Sequence, residues 1–405
     1  MKIRVFFLFL VIIAAFSSCG TQKNVPNQTN IAAEPTAAPT QAPIPTEAPT
    51  PTPMPVVTAS ILSAGDVIMH AGVIKSGKIG DDVYDYRYIF NEVKPYIDAA
   101  DFSLISYEGV VMDSDKNYSG YPVFNAPPAI MSSFYDAGFD MVNQANNHCL
   151  DRRLKGLLES RSIIQREKLQ VIGTYQDADE PRHRIQDLNG IKVGFLAYTY
   201  GCNMSENALT EEERNTHLSL INRKKMETEI KALSPEVDFV IVLMHWGVEY
   251  RKEPTQEQRD LARDLFEWGA DIILGSHPHV VEASEVMEVN GETKYVIYAM
   301  GNFLSNQIKG TIDNANINEF TEDGMMINLT LQKDLGTGKS SLVSVKHIPT
   351  WVHRYKEGDI NKYTIRPIPS VEDSVFTSLE PKLADYLRAS YSRTMALVED
   401  YIPEE

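Results

Sequence analysis

Six short apolar runs in this chain each stop at a side chain that can hold a metal ion or move a proton. Asp66 follows Ile61-Leu62 in "TASILSAGDVIMH", and Glu108 follows Leu104-Ile105 in "ADFSLISYEGVV". Asn146, Asn147 and His148 follow Met141-Val142 in "FDMVNQANNHCLD", and His245 follows an apolar stretch in "VDFVIVLMHWGVEY". His277 and His279 follow Ile272-Ile273-Leu274 in "ADIILGSHPHV", and Asn302 closes the run in "KYVIYAMGNFLSNQ". Runs of this length, rich in Val, Ile and aromatic residues, read as strands.

Helical segments separate several of the runs. In "TQEQRDLARDLFEWG", Leu261, Leu265 and Trp268 share a face, Thr255 and Gln258 make a capping box, and Gly269 ends the helix. "PAIMSSFYDAGFD" and "GLLESRSIIQREKLQ" are helical in period as well. Strands alternating with helices predict βαβ units and a largely parallel sheet, hence an α/β fold. His245 and His277 stand about one βαβ unit apart, roughly 30 residues. Both then sit past the carboxyl ends of neighbouring strands, where open α/β sheets bind ligands. Asp66, Glu108 and His148 hold the same position in their own segments. Extended backbone would aim His277 and His279 to one side, with Pro278 stiffening the link between them. After residue 310, "GMMINLTLQ" and "SLVSVKHIPTWVHRY" alternate as two antiparallel strands able to complete a second sheet. "SLEPKLADYLRASYSRTMALVED" reads as a terminal amphipathic helix.

The N-terminus is not part of that fold. Lys2 and Arg4 precede an apolar run from Val5 to Phe16, too short to span a bilayer comfortably, which is the pattern of an export signal. It ends in Phe16-Ser17-Ser18-Cys19, which resembles a bacterial lipobox with Phe16 in place of the usual Leu; the resemblance implies lipidation of Cys19. An ordinary secretory signal is the alternative. Residues 20–57 are rich in Pro, Thr and Ala and read as an extended spacer. The expected organisation is a signal over 1–19, a spacer over 20–57, the main domain over 58–350 and a C-terminal extension over 351–405. A tether at Cys19 would place the domain at the extracellular face of the cell membrane. Cys149 and Cys202 remain, either as a disulfide or as two buried thiols.

The formal charge of −17 argues against nucleic acid as a partner, which needs a basic surface. It also means that an anionic substrate needs local positive charge. Imidazole, carboxylate and amide oxygen together suit Zn, Mn or Fe. A lone histidine such as His183, His217 or His347 is ordinarily surface or core. The set Asp66, Glu108, His148, His245, His277 and His279, all at strand ends, reads as a metal site. His148 and Asp151 are close enough in sequence to pair, as a general acid or as support for a ligand. His70 reads as a ligand or as the start of a helix. Glu249 reads as a substrate contact or a turn cap, and Arg251 with Lys252 as an anion contact or a solvated loop.

The motifs "GDVIMH", "YEGVV", "FNAPP", "AGFDMVNQANNHCLD", "IVLMHWGVEY", "GADIILGSHPHVVE" and "YAMGNF" resemble, in order, those of the bacterial capsule synthesis protein CapA family. The resemblance covers about residues 60 to 306. It implies a role in capsule or poly-γ-glutamate synthesis. The family is similar to the calcineurin-like metallophosphoesterases, which implies a layered sandwich of two mixed β-sheets flanked by helices. By the same resemblance Asp66, Glu108, Asn147, His245, His277 and His279 are metal ligands and His148 is a proton donor. Glu249, Arg251 and Asn302 are candidate substrate contacts. Three departures stand out. Ile68 occupies the place of a phosphoesterase histidine, Glu108 replaces a shorter aspartate, and Ser276 replaces a histidine common in the capsule family. One divalent ion, or two unequal ones, fits what remains. Two functions follow. One is a metal-dependent hydrolase or transferase acting on an anionic envelope polymer or a phosphoester. The other is a non-catalytic tethered subunit that binds the nascent polymer or a membrane synthase.

Overall fold

The computed structural model describes residues 54–311, 313–372, 376–377 and 379–402. The export signal, Cys19 and the spacer up to residue 53 lie outside the described residues. In chain order the strands are β1 (Val56–Ile68), β2 (Lys78–Gly80), β3 (Val83–Tyr84), β4 (Phe102–Glu108), β5 (Met141–Asn143), β6 (Gln170–Ile172), β7 (Arg184–Leu188) and β8 (Ile191–Thr199). They continue with β9 (Phe239–His245), β10 (Ile272–Ser276), β11 (Ser284–Val289), β12 (Glu292–Ile297), β13 (Asn302–Leu304), β14 (Asp323–Asp334), β15 (Ser340–Glu357) and β16 (Ile360–Pro367).

Apart from the small β2–β3 hairpin, these strands make two sheets. One is ordered β16-β15-β14-β1-β4-β5-β6, with β13 also paired to β1; the other is ordered β11-β12-β10-β9-β8-β7. In the first, β1, β4, β5 and β6 run parallel and β14 to β16 antiparallel. In the second, β8, β9, β10 and β12 run parallel, with β7 and β11 antiparallel at the edges.

The central strands are buried on both faces, which is why they read as continuous apolar runs. In β9, Phe239, Ile241 and Leu243 enter a core shared with Ile61, Leu104 and Met141 of the other sheet. Val240, Val242 and Met244 join the opposite core, with Met226, Ile230, Leu261 and Leu265 of helices Arg223–Leu233 and Gln256–Trp268. On the outer face of the first sheet, Leu62, Ile105 and Val142 meet Ile130, Phe134 and Ile163 of helices Ala129–Ala137 and Arg153–Arg166. The layers are helices, sheet, sheet, helices: a mixed α/β sandwich.

Helix Gln256–Trp268 starts and stops as its sequence dictates. The Thr255 hydroxyl accepts the Gln258 N–H at 3.1 Å, and the Gln258 side-chain oxygen accepts the Thr255 N–H at 2.8 Å. A cap of this kind contributes about 1 kcal/mol. Gly269 ends the helix with φ 113°, in the left-handed region.

The C-terminal strands differ from expectation. They do not complete a second sheet; β14 pairs with β1 and extends the first one, and β15 runs through residue 350 without a break. Alternation identifies a strand and its buried face but not its neighbour. The pairing with β1 carries Met325, Ile327, Leu329 and Leu331 into the core between the sheets. Helix Pro381–Met395 forms as expected, and its Ala384 and Leu387 pack with Trp351 and Ile368.

Candidate metal centre

The site lies at the carboxyl ends of β1, β4, β5, β9 and β10. Asp66 sits near the end of β1, between β4 and β13. Its N–H donates to the Gly301 carbonyl at 2.9 Å. That approach requires Gly65, where a Cβ would lie 2.3 Å from the Gly301 oxygen. Glu108 is the last residue of β4, and His245 the last of β9. Asn147 and His148 lie in the turn after β5. β10 ends at Ser276, and Gly275 lets it pass the Tyr298 carbonyl, which a Cβ would approach to 1.8 Å.

Asp66, Glu108 and His279 each offer a ligand atom within 4.8 Å of the others, and all three are buried. Beside them, His245 Nε2 lies 3.0 Å from Asn147 Oδ1, and the His245 and His277 ring centroids are 4.9 Å apart. The His277 backbone N–H donates to Asp66 Oδ2 at 2.9 Å, joining the two groups. His148 Nδ1 lies 2.8 Å from Asp151 Oδ2, and its Nε2 lies 3.8 Å from Glu108 Oε1. The structure therefore brings together Asp66, Glu108, Asn147, His148, Asp151, His245, His277 and His279.

His277 and His279 do not converge through extended backbone. Their φ angles are 99° and 59°, so both occupy the left-handed region, and their ring centroids lie 5.9 Å apart. Such conformations cost of order 1–3 kcal/mol each and persist where surrounding structure imposes them. The turn separates the two imidazoles, giving His279 to the carboxylates and His277 to His245.

Burial holds the ionisable groups of the cluster away from their charged forms. Burial pushes the Asp66 carboxyl up to about 7, and burial with the Asp66 charge pushes Glu108 well above the usual range. Burial also lowers His277 to about 3 and holds His245 and His279 well below their ordinary value. Every shift opposes charge, as expected for groups taken out of water. Neutral imidazoles and ionised carboxylates are the forms that bind metal. Asp66 Oδ1 and Glu108 Oε2 are buried without hydrogen-bond partners, and His279 Nε2 lies 3.9 Å from Glu108 Oε1. Buried polar atoms are ordinarily paired, so this cluster fits a divalent cation.

A cavity of about 230 Å³ opens beside the cluster, with Glu108, Phe124, His148, Glu249, Tyr250 and His279 in its wall. Glu249 thus faces the site. Arg251 is exposed and outside the cavity wall, and its charge acts instead on Glu282. Asn302 is fully buried; its amide donates to the carbonyls of His279 and Thr321 and to Gln307 Oε1, so it braces the histidine turn. Ile68 lines the cavity, and His70 lies in the same wall at the N-cap of helix Ala71–Ser76. Sequence reasoning missed Tyr200, whose ring centroid is 4.7 Å from that of His277, and Asn203, whose amide is 3.3 Å from His148 Nε2. The run "IKVGFLAYTYGCN" follows the same strand-then-polar pattern and could have exposed both.

The family model described as bacterial capsule synthesis protein PGA_cap matches residues 60–307. The chain belongs to this family. The capsule biosynthesis protein CapA of Bacillus anthracis is 29% identical over 232 residues, covering 55% of this chain and 55% of that protein. This chain thus matches about half the length of that relative. The PGA biosynthesis protein CapA of Bacillus subtilis strain 168 is 28% identical over 295 residues, covering 70% and 71%. Among solved structures, a proposed 5′-nucleotidase from Staphylococcus aureus matches with a TM-score of 0.42 and 12% identity, over 83% of this chain and 58% of that one. That likeness is partial and confined to fold. The PGA_cap match spans all the rim residues from Asp66 to Asn302 and ends before β14.

Proposed function

We propose that this PGA_cap protein is a metal-dependent hydrolase or transferase of envelope-polymer assembly. The observation that carries the reading is the buried donor set of Asp66, Glu108 and His279, in which each carboxylate keeps one oxygen without a hydrogen-bond partner. Those residues would hold one cation, and Asn147, His245 and His277 offer donors for a second. Zn, Mn or Fe suits this mixture of carboxylate, imidazole and amide oxygen. When bound, a divalent cation supplies Lewis-acid polarisation of a phosphoryl or acyl oxygen and acidifies water.

The chain's own residues do the rest. Asp151 accepts the Nδ1–H of His148 and fixes its tautomer, while its Oδ2 also accepts the Phe124 N–H at 2.6 Å. His148 Nε2 is then the atom that carries a proton to a leaving group. The Phe124 ring stands edge-on to His148 at 4.7 Å and limits water on that side. With a formal charge of −17, the surface repels polyanions, so recognition of an anionic group concentrates at the cation.

The capsule and PGA names of the relatives support an anionic envelope polymer, or a phosphoester related to it, as substrate. Lipidation at Cys19 and the spacer would tether the domain to the extracellular face of the membrane, beside a membrane synthase.

The test is elemental analysis of the purified full chain, then assays of phosphodiester and γ-glutamyl amide hydrolysis after loading with Mn or Zn. Turnover that disappears in Asp66→Asn and His279→Ala supports the reading. Failure to bind any divalent ion removes it. Metal binding without turnover, together with polymer production that survives His277→Ala and His279→Ala in cells, favours the tethered binding subunit.

A further inference from the structure

Behind the Asn147–His148 turn lie two thiols that the chemistry above does not use. Cys149 follows His148 and Cys202 precedes Asn203. Their sulfurs are 3.5 Å apart, across 53 residues of chain. Both are buried, in an apolar cluster with Leu150, Leu157 and Leu218. Among the described residues these are the free cysteines.

We propose that Cys149 and Cys202 are a disulfide site, and that the bond staples the turn after β5 to the turn after β8. The two sulfurs already face each other. A shift of about 1.5 Å brings them to bonding distance. The oxidant is a small organic disulfide acting by thiol–disulfide exchange. One cysteine thiolate attacks it, forming a mixed disulfide and expelling one thiolate. The second cysteine attacks the mixed disulfide at the protein sulfur and expels the other. The cysteines lose two electrons and two protons, and the organic disulfide gains both to become two thiols. Exchange occurs while the chain folds or during local opening, because the closed cluster shields both sulfurs.

The staple has a place in the site. Asn203 Oδ1 accepts from the Asn147 amide at 3.4 Å, and the Asn203 amide lies 3.3 Å from His148 Nε2. Each cysteine is next in sequence to one partner in these contacts. A covalent bond there holds the two turns in register whether or not a cation is bound, so the inference stands apart from the metal reading.

The experiment uses the full chain, unfolded with reductant and refolded in a mixture of reduced and oxidised glutathione. The product is denatured, alkylated and digested. The expected result is a cross-linked peptide pair containing Cys149 and Cys202, and a melting temperature that falls when the bond is reduced. Cys149→Ser and Cys202→Ser each lose the cross-link; should either fail to fold, peptide mapping of the unaltered chain decides alone. Quantitative alkylation of both cysteines, or pairing of either with Cys19, overturns the proposal. A cross-link whose reduction leaves the melting temperature unchanged overturns the stapling role.

Discussion

His245 and Asn147, separated by 98 positions in sequence, face each other with Nε2 and Oδ1 3.0 Å apart. The contacts behind His245 fit the tautomer that carries its proton on Nδ1. The Ser276 hydroxyl donates to the Met244 carbonyl at 3.3 Å, which leaves its oxygen to accept the His245 Nδ1–H at 3.0 Å. Nε2 then presents a lone pair beside the Asn147 carbonyl oxygen. Two acceptors meeting without a hydrogen between them suit a shared cation. Ser276 thus offers a hydroxyl that orients His245 from behind.

Ser276→Ala removes that orienting contact. Metal affinity is expected to fall about 10–100-fold, the usual cost of losing such a partner. Isothermal titration with Zn or Mn measures it, and circular dichroism should show an unchanged fold. Equal affinity in both proteins would count against the tautomer argument.

Asp66→Asn and His279→Ala should uncouple stability from metal. For the unaltered chain, metal at a thousandfold excess over Kd adds about 4 kcal/mol. The variants should show little of that gain in thermal melts with and without the ion. The metal-free Asp66→Asn protein should melt no lower than its parent, because it removes a buried carboxylate that burial has pushed up to about 7. A metal-dependent rise that persists in both variants would place the cation elsewhere.

His148→Gln should lower turnover about 10²–10⁴-fold, the range of general-acid catalysis. Asp151→Asn should act in the same direction through the tautomer of His148, with a smaller loss. Both should retain metal. A variant that loses metal instead would make His148 a ligand rather than the proton donor.

Glu282, three residues beyond His279, is fully buried, and its Oε2 accepts from the Gln258 amide at 2.8 Å. Burial raises its carboxyl from 4.5 to about 7, against the opposing pull of Gln258 and two arginines. The folded chain therefore holds this proton more tightly than the unfolded chain does. The contribution is complete below pH 4.5 and is lost as pH rises through about 7. Glu282→Gln should be more stable than its parent at pH 8 by about 3 kcal/mol and should lack this part of the pH dependence. Urea denaturation at pH 5 and pH 8 checks it; a parallel fall in both proteins would assign the dependence to other groups.

The strand framework was legible because the central strands are buried on both faces. Phe239 to Met244 reads as an unbroken apolar run for that reason, and its end at His245 marks the rim. Helix Gln256–Trp268 was legible to the residue, since Thr255, Gln258 and Gly269 make its start and stop by local hydrogen bonds and backbone freedom. The neighbours of β14 were not legible, because an alternating strand fits either sheet equally well until its partner is present.

Burial period and capping are local properties, so they are enough to place residues at strand ends and to name the side chains that could share a rim. The tertiary structure alone decided how they divide. Left-handed backbone at His277 and His279 sends one imidazole to Asp66 and Glu108 and the other to His245. It also decided that Tyr200, Asn203 and the Cys149–Cys202 pair lie against the site, and that Arg251 does not. Those placements depend on two sheets meeting face to face, a distance relation between remote segments that no local pattern encodes.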